Sequence, residues 1–134
     1  LIIFRGPHAY ISPTWYKTEG VPTWNYTAVH AYGKVRIIEA RDELITLLES
    51  LVRINEAANG TNYKLDPNAP EVAQRLAHII GMEIPIEALS GKFKLSQNRP
   101  REDHNPVIEQ LRARGDADDI QIADLIEKNL KGTS

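Results

Sequence analysis

Val21-Pro22-Thr23-Trp24-Asn25-Tyr26-Thr27-Ala28-Val29-His30-Ala31-Tyr32-Gly33-Lys34-Val35-Arg36 decides the class of fold. From Trp24 to Tyr32 large side chains alternate with small or polar ones. A period of two places Trp24, Tyr26, Ala28, His30 and Tyr32 on one face of a strand and Asn25, Thr27, Val29 and Ala31 on the other. Gly33 is a turn residue, so Tyr32-Gly33-Lys34 is expected to form a hairpin that returns through Val35 to Ile38. Upstream, Leu1 to Phe4 reads as a buried strand entered without a cap, Ala9 to Ser12 as a short strand, and Ser12 to Pro22 as a connection rich in turn residues.

Downstream the period changes. Leu44, Leu47, Leu48, Leu51 and Val52 recur at three and four residues, which predicts an amphipathic helix from Arg41 to Ala57. Pro70 suits the first turn of a second helix running to Ile80 and stopped by Gly81. Strands are expected over Met82 to Leu89 and Gly91 to Gln97, turning at Ser90-Gly91. Asn105 with Pro106 opens a helix that Gly115 closes, and Asp118 caps a last one ending at Gly132. Strands, helices, strands and helices in that order predict an α+β fold, and no linker or repeat divides residues 1–134 into more than one domain.

With 134 residues, 42% of them hydrophobic, the chain is long enough to bury roughly two thirds of its unfolded surface. That composition excludes disordered and collagen-like classes. Sixteen Lys and Arg against 18 Asp and Glu leave a net charge of −2, without the basic bias of non-specific nucleic-acid binders. Zero cysteines exclude thiolate catalysis, iron–sulfur clusters and disulfide scaffolds, and suit a reducing, cytoplasmic compartment. No apolar run approaches the ~18 residues of a membrane span. Signatures of serine hydrolases, zinc proteases, P-loop enzymes and dinucleotide binders are absent, and His8, His30, His78 and His104 have no metal-ligand spacing.

Two segments carry chemistry. In the first, Thr23, Trp24 and Asn25 combine an aromatic face suited to a planar ring with groups that hydrogen-bond a heterocycle edge. Its aromatics serve equally well as the core of a barrel strand. The second, Gly91 to Arg99, read as a strand, aligns Lys92, Lys94, Ser96 and Asn98 on one side, a polar row fit either for an anion such as phosphate or for plain solvent. Arg5, His8, Ser12 and Trp15 flank the Gly6-Pro7 bend and are further candidates, with Trp15 and Tyr16 also fit to close a core.

Three strings, FRGPHAYISPTWY at 4–16, VPTWNYTAVHAYGKVR at 21–36 and GKFKLSQNR at 91–99, resemble the FMN-binding negative transcriptional regulators of the PaiB type. The resemblance implies a split β-barrel with covering helices, related to pyridoxamine-phosphate oxidase, that works as a homodimer with FMN at the subunit interface. It implies that the first barrel strands precede the segment at Leu1. Carried over residue by residue, it points to Thr23, Trp24 and Asn25 near the flavin ring, and to Lys94, Ser96, Gln97 and Asn98 near the cofactor, with Lys92 a weaker member. Its regulatory side implies DNA as a partner, which the charge does not favour. A flavin-dependent oxidoreductase acting on a small molecule is the alternative.

Overall fold

The computed structural model describes residues 1 to 132. In chain order they form β1 (Ile2–Ile11), a single 3-10 turn (Pro13–Trp15), β2 (Thr23–Tyr32), β3 (Arg36–Ile38), α1 (Arg41–Ala58), α2 (Pro70–Leu76), β4 (Gly81–Glu83), β5 (Ala88–Lys94), α3 (Arg101–Arg114) and α4 (Ala117–Gly132). The fold is mixed α and β, with antiparallel sheets and, among the described residues, four α-helices. Two compact units divide it: one holds residues up to Tyr32 and from Glu87 onward, the other Gly33–Ile86.

The first unit is built on an antiparallel sheet of order β1-β2-β5. Because β2 is paired on both sides, with β1 from Ile2↔Ala31 to Ile11↔Thr23 and with β5 from Tyr26↔Lys94 to Tyr32↔Ala88, no edge of it is left for β3. The hairpin expected at Tyr32-Gly33-Lys34 therefore does not form. Ser90-Gly91, expected as a turn, lies inside β5 opposite His30 and Val29. The register slips between Arg5 and His8, where Gly6 and Pro7 make a bulge. Glycine is required there, since a Cβ on Gly6 would come within 2.1 Å of the Thr27 hydroxyl.

Ile11, Ala9 and Leu95 pack with Val107, Ile108 and Leu111 of α3 and Ile122, Ala123 and Ile126 of α4 into one core, with Trp15 and Tyr16 against it. Trp15 and Tyr16 thus close the core. The α3 helix begins at Arg101, one turn earlier than Asn105-Pro106 suggests, so Pro106 sits inside it. Pro100 ends the preceding loop, and Asp103 anchors the first turn through bonds to a distant loop, which sets the start in place of an Asn cap. Gly115 closes α3 as expected, at φ +80°.

In the second unit β3 pairs with β4, from Arg36↔Glu83 to Ile38↔Gly81. Ile38, Leu44, Ile45 and Leu76 form its core, with Leu48 and Val72 against it. The α1 helix matches its expected span to within a residue. The α2 helix ends at Leu76, short of the expected Ile80, and Gly81 is not its stop. Gly81 is needed opposite Ile38, where a Cβ would come within 2.9 Å of the Ile38 side chain.

Candidate functional site

Register assigns each side chain of the first sheet to a face. Tyr10 lies opposite Trp24, His8 opposite Tyr26 and Arg5 opposite Ala28, while Lys94 and Lys92 lie opposite Tyr26 and Ala28 from the other neighbour. Opposed residues share a face. One face of the sheet therefore carries Trp24, Tyr26, Tyr10 and His8 with Arg5, Lys92 and Lys94. Trp24 is 53% exposed, so its ring is not core. Tyr10 meets it edge-on at 5.8 Å, and the His8 ring lies 5.9 Å away, tilted by 30°. Arg5, His8, Trp24 and Tyr26 line a shallow cavity of about 270 Å³. A larger cavity, about 460 Å³, lies in the second unit between α1 and the loop at Thr61–Leu65, and contains none of the residues singled out by the sequence.

The seven predicted site residues fall into two layers. Asn25 and Ser96 are fully buried behind the Trp24 face. The Asn25 amide donates to Ser96 Oγ at 2.9 Å and the hydroxyl donates back at 3.2 Å. Strand periodicity does not reach Ser96: β5 ends at Lys94, and Ser96 turns inward at φ +62°, a left-handed conformation unusual for a residue with a side chain. The His104 Nε2 and the Arg99 backbone N–H both donate to the Ser96 carbonyl, at 3.0 and 2.9 Å, and hold that turn. The His104 Nδ1 is buried with no partner among the described residues.

Lys94 Nζ donates to Thr23 Oγ1 at 2.5 Å, a half-buried contact that joins the two predicted segments, with Thr23 paired to Ile11 and so on the Asn25 face by register. Gln97 is spent on its own loop, accepting from the Leu95 N–H at 2.7 Å and donating to the Phe93 carbonyl at 2.6 Å. Asn98 is exposed on the turn. The structure thus pairs Asn25 with Ser96 and Thr23 with half-buried Lys94, sets Trp24 on the accessible side, and leaves Gln97 as a loop brace. A planar ring with an anionic arm fits the exposed aromatics and the cations beside them. Asn25 and Ser96 fit as the support beneath.

Ser96→Ala strands the buried Asn25 amide, and is expected to destabilise the fold by about 1–3 kcal/mol. Urea denaturation checks this; an unchanged midpoint would show that the pair does not hold the turn.

The sequence reading missed Asp103, whose signal is a four-residue step from Arg99, in the loop before α3, to an acid in the first turn of the helix. Asp103 is 1% exposed. Its Oδ1 accepts from the Lys17 and Thr18 backbone N–H groups at 2.8 and 3.0 Å, and its Oδ2 from the Thr18 hydroxyl and Arg99. Burial acts to raise the Asp103 carboxyl, but these donors outweigh it and hold it at about 2. The Arg99 guanidinium lies 4.1 Å over the Tyr16 ring. Burial raises the Tyr16 hydroxyl, and the Arg99 charge opposes it. Ser12 caps the 3-10 turn, and Trp15 lies beneath Arg114 at 4.9 Å.

Residues 1–88 match the family model described as "Putative FMN-binding domain". The chain belongs to this family. It is 42% identical over 132 residues to the protease synthase and sporulation protein PAI 2 of Bacillus subtilis, an alignment covering 98% of this chain and 63% of that protein. Uncharacterized proteins of Emericella nidulans and Aspergillus fumigatus are each 35% identical, over 81% and 96% of this chain and 50% and 58% of their own lengths. The chain thus spans about half to two thirds of these relatives. The family model ends at Ala88, so Lys94 to Asn98 fall within the bacterial alignment alone of these two.

Proposed function

We propose that this domain binds FMN on the Trp24 face of the β1-β2-β5 sheet, and that it does so as a homodimeric split barrel of regulatory type. The observation that carries this reading is the convergence of exposed Trp24 with Arg5, Lys92 and Lys94 on one sheet face of a chain in an FMN-binding family. Trp24 offers a stacking surface to a tricyclic ring, with Tyr10 fixing its plane edge-on. Lys94, held by Thr23, and Lys92 present cations to the phosphate. The Asn25–Ser96 pair keeps the loop that follows Lys94 in place. When bound, flavin supplies electron or hydride transfer, while the protein supplies grip and orientation.

On the opposite face Phe4, Val29, Leu89 and Phe93 lie together by register and all are exposed, an apolar surface that barrel closure would bury. Among the described residues β1 and β5 each pair on one side only, and these free edges are where further strands would close a barrel. The regulatory role takes support from the bacterial relative's name, which refers to protease synthesis and sporulation. The net charge of −2 does not favour direct DNA contact. A cytoplasmic location accords with the absence of cysteine.

The absorption spectrum of the purified protein, with identification of any chromophore released on denaturation, tests the cofactor. Flavin bands with released FMN, or uptake of added FMN, are expected; a colourless protein that takes up none overturns the reading. Turnover of NAD(P)H by the loaded protein would favour the oxidoreductase alternative. Sedimentation tests the dimer.

A further inference from the structure

Arg5 and His8 are three residues apart, an odd step that in a regular strand sends two side chains to opposite faces. The Gly6-Pro7 bulge changes that. Arg5 is opposite Ala28 and His8 opposite Tyr26, and Ala28 and Tyr26 share the Trp24 face, so the extra residue brings both side chains to one side. Re-aiming a side chain is a known use of bulges beside active sites. Both line the cavity at Trp24.

His8 is also held from the far end of the sequence. Asp118, in the first turn of α4, takes the His8 ring Nδ1 at 2.8 Å and accepts the His8 backbone N–H at 3.3 Å on the same oxygen. Its neighbour Asp119 is committed to Arg114, which leaves Asp118 to His8. A carboxylate at Nδ1 requires the proton there, so the neutral ring keeps its lone pair on Nε2. Among the described residues Nε2 has no hydrogen-bond partner. The charged groups around the ring are Arg5 on its own strand and Arg114, Asp116 and Asp119 on the helical side, with the Tyr26 hydroxyl on the adjacent strand.

We infer that His8 and Asp118 form a proton-exchanging pair for a planar heteroaromatic ligand seated against Trp24. The inference rests on the ring-binding reading above and adds a role that reading does not contain. The ligand's ring-edge N–H or O–H donates to His8 Nε2. When the proton transfers, the ligand loses the proton that Nε2 gains, and Asp118 stays ionised and stabilises the imidazolium through Nδ1–H. Arg5 offers its charge to the anion left on the ring edge.

Long-range ¹H–¹⁵N spectra of the whole chain, with His8 assigned by comparison with His8→Gln, test this directly. The expected result is Nδ1 protonated and Nε2 bare in the free protein, with the Nε2 resonance moving as FMN or riboflavin saturates. Asp118→Asn should abolish that tautomer preference and weaken binding of either probe by about fivefold, one hydrogen bond's worth, at an unchanged melting midpoint. Nε2 protonated in the free chain, or a stationary Nε2 while flavin fluorescence shows either probe bound, overturns the pair and leaves the ring-binding reading intact. Binding of neither probe overturns both.

Discussion

Asp103→Asn is expected to lower the melting midpoint by roughly 10 °C near neutral pH, because it breaks a buried charge pair rather than a surface one. The carboxylate ties α3 to the Lys17–Thr18 loop and to Arg99 at once. An amide in its place points an N–H₂ at donors and leaves the Arg99 charge without its partner. The pH dependence has a definite sign. Folded Asp103 titrates at about 2, below its ordinary 3.8, so its contribution is fully present above about pH 4 and is lost as pH falls through 2. Melting curves of both forms should therefore lie far apart at pH 6 and converge near pH 2. A gap that stays constant down to pH 2 would mean that the carboxylate charge does not matter to the fold.

Trp24→Ala should leave stability within about 1 kcal/mol and weaken FMN binding on the order of 10- to 100-fold, the range of one lost stacking platform. Read from the sequence alone, this substitution invites the 3–5 kcal/mol cost of a core aromatic. The exposure of Trp24 removes that expectation and makes the experiment clean, since a folded variant with intact flavin affinity would take Trp24 out of the site. Lys94→Ala offers the matching test of the anionic arm. Loss of its charge should reduce affinity for FMN more than for riboflavin, which lacks the phosphate, and equal losses would place the phosphate elsewhere. Titrations followed by flavin fluorescence measure each.

The aromatic strand was legible because period-two alternation over nine residues has no helical reading, and β2 runs from Thr23 to Tyr32. The α1 helix was legible for the complementary reason. The strand at Gly91 was legible in kind but not in extent, since the inward turn at Ser96 depends on Asn25 and His104, which lie 71 residues before and 8 after it. Two turn readings and one helix stop misplaced glycines. Gly33, Gly81 and Gly91 look like punctuation in one dimension, yet Gly81 sits where β4 presses on Ile38, and Gly91 lies in mid-strand. A glycine's local freedom and its lack of a side chain leave the same letter in the sequence.

Periodicity by itself determined which residues of the Trp24 strand share a face and where the long helix runs; the expectation that Thr23 to Asn25 and Lys94 to Asn98 hold the chemistry came from side-chain types and the family resemblance. Which face is covered was decided only by α3 and α4, which pack on Ala9 and Ile11 from about a hundred residues away and leave Trp24 open on the other side. The meeting of Arg5 with His8 depended on a bulge, and that of His8 with Asp118 on a contact spanning 110 positions. Local alternation records the pleat of a strand, which each residue imposes on its neighbours. Strand partners and helix cover are settled by burying apolar area between segments distant in sequence, a quantity that no local window contains.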